Sequence, residues 1–176
     1  MKVFLATAFL LAFVFHRTNT PTTPDTDPLK PLSFLEGTWQ AKTQGGSAGA
    51  NATATYTFER DLKGHVLARR MQSSSGCQGP ASFDCAHSDL YVYPGPDHQT
   101  LKAIYLDNEG HVIHYDVSVP ESTTALFVSD ASTQGPQFRL IYELKSGVMS
   151  GKFQVRPPGQ PAWKSYLEWI GERRSP

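Results

Sequence analysis

The sequence predicts an all-β chain, folded as an antiparallel up-and-down β-barrel of about ten strands. Three observations predict it. Short segments of alternating polar and apolar residues recur at nearly regular spacing from Gly37 onward. Turn-forming residues punctuate those segments. No segment carries apolar residues at a period of 3.6 over three turns, which a packed helix requires.

The segments fall at 37–44, 52–60, 65–72, 88–93, 100–107, 111–119, 124–129, 137–145, 148–156 and 163–174. Between them stand Lys63-Gly64, Pro94-Gly95-Pro96-Asp97, Asn108-Glu109-Gly110, Gln134-Gly135-Pro136, Ser146-Gly147 and Pro157-Pro158-Gly159. Ahead of the first strand, Pro31 to Glu36 forms a short helical turn that Gly37 stops. The last three strands alternate most clearly. Phe138, Leu140, Tyr142 and Leu144 oppose Arg139, Glu143 and Lys145. Met149, Gly151, Phe153 and Val155 oppose Lys152, Gln154 and Arg156. Trp163, Leu167 and Trp169 share a face with Gly171 and Arg173. One face is apolar and the other charged, as a sheet with one wet side demands. Closing the sheet on itself removes its exposed edges.

The chain has 176 residues, room for one domain. Residues 1–20 read as a signal peptide: Met1-Lys2, then an almost wholly apolar run from Val3 to Phe15, then His16-Arg17-Thr18-Asn19. The apolar run is too short to span a bilayer comfortably, with an uncleaved N-terminal anchor as the alternative; no other segment could cross, so the mature chain has no predicted membrane span. Residues 21–30, with Pro21, Pro24 and Pro28, read as a linker, and 31–176 as the barrel. The expected location is secreted or periplasmic. In such an oxidising compartment Cys77 and Cys85, in a loop rich in Ser, Gly and Pro, are expected to form a disulfide. Asn51-Ala52-Thr53 fits the glycosylation pattern. The 16 basic and 16 acidic residues cancel, and no basic cluster stands out, which argues against nucleic acid as a partner. A monomer or dimer is expected.

Leu35-Glu36-Gly37-Thr38-Trp39 opens the first strand, and Arg173 falls on the inward face of the last. A guanidinium there is costly unless it stacks or is hydrogen-bonded, and Trp39 offers a ring. These two residues are therefore expected to close the barrel's base. Gly-x-Trp on the first strand with Arg on the last resembles the calycin superfamily: lipocalins, fatty-acid-binding proteins, nitrobindins and bacterial lipocalin-like relatives. Further cues are Leu32-Ser33-Phe34 before the motif, Leu62-Lys63-Gly64-His65-Val66-Leu67, Tyr142-Glu143-Leu144 and Leu167-Glu168-Trp169. The likeness spans roughly residues 31–174 as a strand pattern. It implies a lipocalin-like barrel whose central cavity holds a hydrophobic ligand. A nitrobindin-like chain would ligate haem through a histidine near its end. No histidine follows His114, so that ligand is not carried over, and haem on another histidine stays as an alternative.

Arg69-Arg70 interrupts the third strand, and a regular strand turns one of the two inward. Its fork would match a carboxylate, with Tyr56 and Tyr142 as helpers. The expected lining is completed by Phe58, Leu140, Phe153, Leu167 and Trp169. His111 and His114, three apart on a strand, face opposite sides and cannot share a metal. No nucleophile elbow, phosphate loop or inward carboxylate pair occurs, so no catalytic or metal-ligating residue is assigned. The function expected is an exported barrel binding a small hydrophobic or amphipathic ligand. The alternatives are a cavity enzyme, haem-dependent or acting as a lipid isomerase or cyclase, and a ligand-free structural module of the cell envelope.

Overall fold

The computed structural model describes residues 27–46, 52–73, 87–131 and 134–174. Ten antiparallel strands close into one barrel: β1 (Gly37–Gly45), β2 (Thr53–Asp61), β3 (Val66–Ser73), β4 (His87–Pro94), β5 (Leu101–Asp107), β6 (Val112–Glu121), β7 (Thr124–Ser129), β8 (Gln137–Lys145), β9 (Val148–Arg156) and β10 (Lys164–Arg173). Each strand pairs with its sequence neighbours, and β1 pairs with β10 to complete the ring. The up-and-down order is the one expected, since strands joined in sequence by hairpins close most simply with each beside its neighbour. No helix among the described residues is long and apolar enough to cross a membrane. Cys77, Cys85 and Asn51 lie outside the described residues.

One end is sealed. A 3₁₀ turn, Lys30–Leu35, lies across this base and buries Leu32 and Leu35 completely. The seal begins before Pro31: Leu29 is fully buried, and Asp27 reaches Arg60 on β2 at 3.0 Å. Trp39 stands inside, with no exposed surface, and its Nε1 donates to the Leu35 carbonyl at 2.8 Å. Arg173 lies opposite Trp39 across β1 and β10, with its guanidinium 4.3 Å from the indole centre. The expected stack is thus present, but Arg173 is not buried. It sits on the last residue of β10, at the rim, and donates to the Glu36 carbonyl at 2.5 Å from the exposed side. Gly37 is required here on two counts. Its φ is +121°, and a Cβ would collide with the Arg173 guanidinium.

Above the seal the barrel is filled by aromatic rings. Tyr142 is at the centre, 5.3 Å from Phe58, 5.6 Å from Trp169 and 6.1 Å from both Tyr56 and Phe127. Most of these pairs meet edge to face, the arrangement that ring quadrupoles favour. Space for the rings comes from glycines on β9 and β10. A Cβ on Gly151 would lie inside the envelope of the Trp169 indole, and one on Gly171 would press on the Tyr56 hydroxyl. Gly151→Val is accordingly expected to cost about 1–3 kcal/mol or more, by overpacking. Trp169→Leu in the same chain should recover part of that loss. Urea midpoints of the two single variants and the double variant check this, and strictly additive losses would contradict the contact.

One part of the alternation fails. Trp163 does not share the inward face with Leu167 and Trp169. The β9–β10 register shifts between Ser165 and Leu167, a bulge that adds one residue and reverses side-chain direction. Trp163 therefore lies on the outside, against Arg139 and Arg156.

Candidate functional site

Register separates the two arginines of β3. Arg69 lies between Phe58 of β2 and Leu90 of β4 and points inward, with 5% of its surface exposed. Arg70 points outward and is held by Glu59 and by Asp61, the latter at 2.8 Å. The expectation that Arg70 serves a ligand is corrected on this ground: it belongs to the outer ion-pair lattice.

Arg69 is a buried cation that pairs with no described carboxylate. Its Nη1 donates to the Tyr142 hydroxyl at 2.8 Å and its Nη2 to the Ser88 hydroxyl at 2.7 Å. The Tyr105 ring lies 5.7 Å from the guanidinium carbon. Arg69 Nε has no partner. Two further buried polar atoms at this level are also unpaired, the Tyr56 hydroxyl and Trp169 Nε1. The Trp169 indole lies near enough to Tyr56 to offset a little of the effect of burial on the phenol, but the two make no well-formed hydrogen bond. Native interiors rarely leave three polar groups unsatisfied in one layer.

On the mouth side of this layer the inward residues are apolar and only partly buried. They include Met71, Tyr105, Ile113, Phe138, Phe153 and Leu167. Phe138 and Phe153 stack at 5.7 Å with their planes 8° apart. The arrangement is an apolar cup over a floor in which a guanidinium, an indole N–H and a phenol are buried from solvent. Chemically, such a floor can orient the acidic head of an apolar molecule.

Of the expected lining residues, Arg69, Tyr142, Tyr56 and Trp169 form the floor, and Phe153 and Leu167 stand in the wall. Phe58 does not belong there. It pairs with Gly37 near the base and is packed between Tyr56 and Tyr142. Leu140 is buried in the core. Ser88 and Tyr105 were missed. Their signal was available, since Ser88 alternates with the inward Leu90 and Val92, and Tyr105 with Leu101 and Ala103.

Burial raises the phenol of Tyr105 to about 12 and those of Tyr56 and Tyr115 further still. A raised phenol favours the neutral form in the folded chain. Its contribution is fully present below the unfolded value near 10 and is lost as pH rises through the folded value. Stability is expected to hold to about pH 10 and then fall steeply toward pH 12. Tyr56→Phe removes a hydroxyl without a partner, so it should leave neutral-pH stability nearly unchanged and flatten the alkaline fall. Urea midpoints against pH test this; an undiminished slope in Tyr56→Phe would remove the explanation.

Every histidine among the described residues is exposed, so none faces the interior. His111 stands with Asp107 and Glu109 at the β5–β6 turn, their ligand atoms within 4.8 Å of one another. Asp107 already accepts from the backbone N–H groups of Glu109 and His111 and from the Tyr105 hydroxyl, which is the work of a turn cap. A depression of about 840 Å³ lies elsewhere, outside the base between Pro28, Pro31 and the far end of β6. Of its charged members, Lys102 and Asp116 pair with each other, which leaves Glu121 as the one other charge in the lining.

Compared with known proteins, the chain matches no family model and no curated relative.

Proposed function

We propose that this protein is an exported calycin-type barrel that binds a small amphipathic acid, with its apolar part in the mouth-side cup and its carboxylate over Arg69. The observation that carries the reading is Arg69 itself: a charge buried to 5% exposure, tied only to two neutral hydroxyls, with Nε unused. Burying an ion costs on the order of several kcal/mol unless an opposite charge offsets it. Arg69 lies beneath a layer of partly buried apolar side chains, where a bound carboxylate would supply that charge. Trp169 Nε1 and the Tyr56 hydroxyl can donate to the same oxygens. The apolar run from Val3 to Phe15 supports export.

The experiment is a comparison of dodecanoate with dodecanol, by calorimetric titration of the purified chain. Equal burial of the alkyl chain makes the head group the only difference. Dodecanoate is expected to bind about tenfold to a hundredfold more tightly, the worth of a charge-assisted hydrogen bond. Equal binding of the two, or binding of neither, rejects the reading. Native mass spectrometry of protein purified from an export host would add the mass of any molecule carried through purification.

A further inference from the structure

A second group of cations lies on the outer wall near the mouth. Arg139 and Gln137 point outward from β8, and Gln154 and Arg156 from β9. The register sets Arg139 opposite Gln154 and Gln137 opposite Arg156. Arg139 Nε and Nη2 both donate to Gln154 Oε1, at 2.9 and 2.7 Å, and Arg156 Nη2 donates to Gln137 Oε1. Trp163, carried outside by the β10 bulge, packs on both guanidinium groups, 4.4 Å from that of Arg139 and 4.8 Å from that of Arg156. A cleft of about 170 Å³ adjoins, lined by Gln137, Arg156, Pro157, Pro158, Gly159 and Gln160 among others.

Three other cations of the wall, Arg60, Arg70 and Lys102, are neutralised by acids. Arg60 reaches Asp27 and Glu36, Arg70 reaches Glu59 and Asp61, and Lys102 reaches Asp116. Arg139 and Arg156 meet only amide oxygens among the described residues. A glutamine opposite an arginine fixes the direction of its fork and leaves its charge intact, where a glutamate would have cancelled it. The two forks share one indole, so the like charges are held close. The Arg139 guanidinium is accordingly held below its ordinary value, first by burial and then by the charge of Arg156. A bound anion would relieve that repulsion.

We propose that Arg139 and Arg156, oriented by Gln154 and Gln137 and backed by Trp163, bind a small tetrahedral oxyanion of the phosphate or sulfate class. Two oriented guanidinium forks suit several oxygens at tetrahedral angles. The adjoining cleft, which Arg156 lines and Arg139 does not, has room for such an ion and a few waters, at about 30 Å³ per water. No part of this argument involves Arg69 or the cup.

The test is calorimetric titration with inorganic phosphate at constant ionic strength, chloride being the compensating ion. Saturable binding is expected, weakened about tenfold or more in Arg139→Gln and in Arg156→Gln, and unchanged in Lys152→Gln, an exposed cation on the same wall. Melting curves of each variant establish that it is folded. Sedimentation with vesicles carrying phosphatidic acid separates the two sources of the ion. Pelleting that both arginine variants abolish assigns a lipid headgroup, and phosphate binding without pelleting assigns the free ion. Absence of saturable binding in both arms, or an equal loss in Lys152→Gln, overturns the proposal.

Discussion

Arg69→Met is expected to weaken dodecanoate binding about tenfold to a hundredfold while leaving the melting temperature unchanged or higher. The two halves of this expectation come from one fact. Arg69 lies in the interior with no described acid beside it, and its contacts are two hydroxyls. Methionine nearly matches its stem in volume and carries no charge to desolvate. Against that gain stand the Tyr142 and Ser88 hydroxyls, which lose their donor and cost about 1–3 kcal/mol each if they find no other. The sum is close to zero for the fold and strongly unfavourable for an anionic ligand. Arg69→Lys separates charge from geometry, since an ammonium keeps the sign and loses the fork. It should retain part of the preference for dodecanoate over dodecanol. Unchanged dodecanoate affinity in Arg69→Met would place the head group elsewhere. A fall of many degrees in its melting temperature would make the arginine a structural member of the core.

Trp39→Ala is expected to cost about 3–5 kcal/mol, the largest loss from any single truncation in the barrel. Trp39 is fully buried, and three things rest on it. Its ring fills the base, its Nε1 holds the Leu35 carbonyl, and its outer face carries the Arg173 guanidinium. The alanine variant leaves a void, an unpaired carbonyl and an arginine with nothing to stack on. For a domain of this size each kcal/mol corresponds to about 2–4 °C, so a drop of roughly 10–20 °C is expected. Trp39→Phe keeps a ring and loses the N–H, and should fall between the two. Thermal and urea unfolding of both variants check the order. A loss under about 1 kcal/mol in Trp39→Ala would mean that Leu29, Leu32 and Leu35 seal the base without it.

The strands were legible because β-structure writes itself locally. The alternation of Phe138, Leu140, Tyr142 and Leu144 against Arg139, Glu143 and Lys145 states both the element and its inward face. Up-and-down order followed from hairpin connections between successive strands. The pairing of Trp39 with Arg173 across the closure was readable for a simple reason: a cation at the end of an apolar face needs a ring or a carbonyl, and it found both.

The all-β barrel, its strand order and the seal at its base are thus written in local residue patterns. Closure of the barrel settled which of Arg69 and Arg70 faces inward, because adjacent residues of a strand look alike until register with β2 and β4 is known. It also moved Phe58 from the cup to the base, since depth along the barrel depends on how the strands tilt and stagger, which no single strand encodes. The bulge before Leu167 turned Trp163 outward and created the Arg139–Trp163–Arg156 cluster. A single added residue in one strand leaves local composition unchanged and reverses the face of everything on its far side.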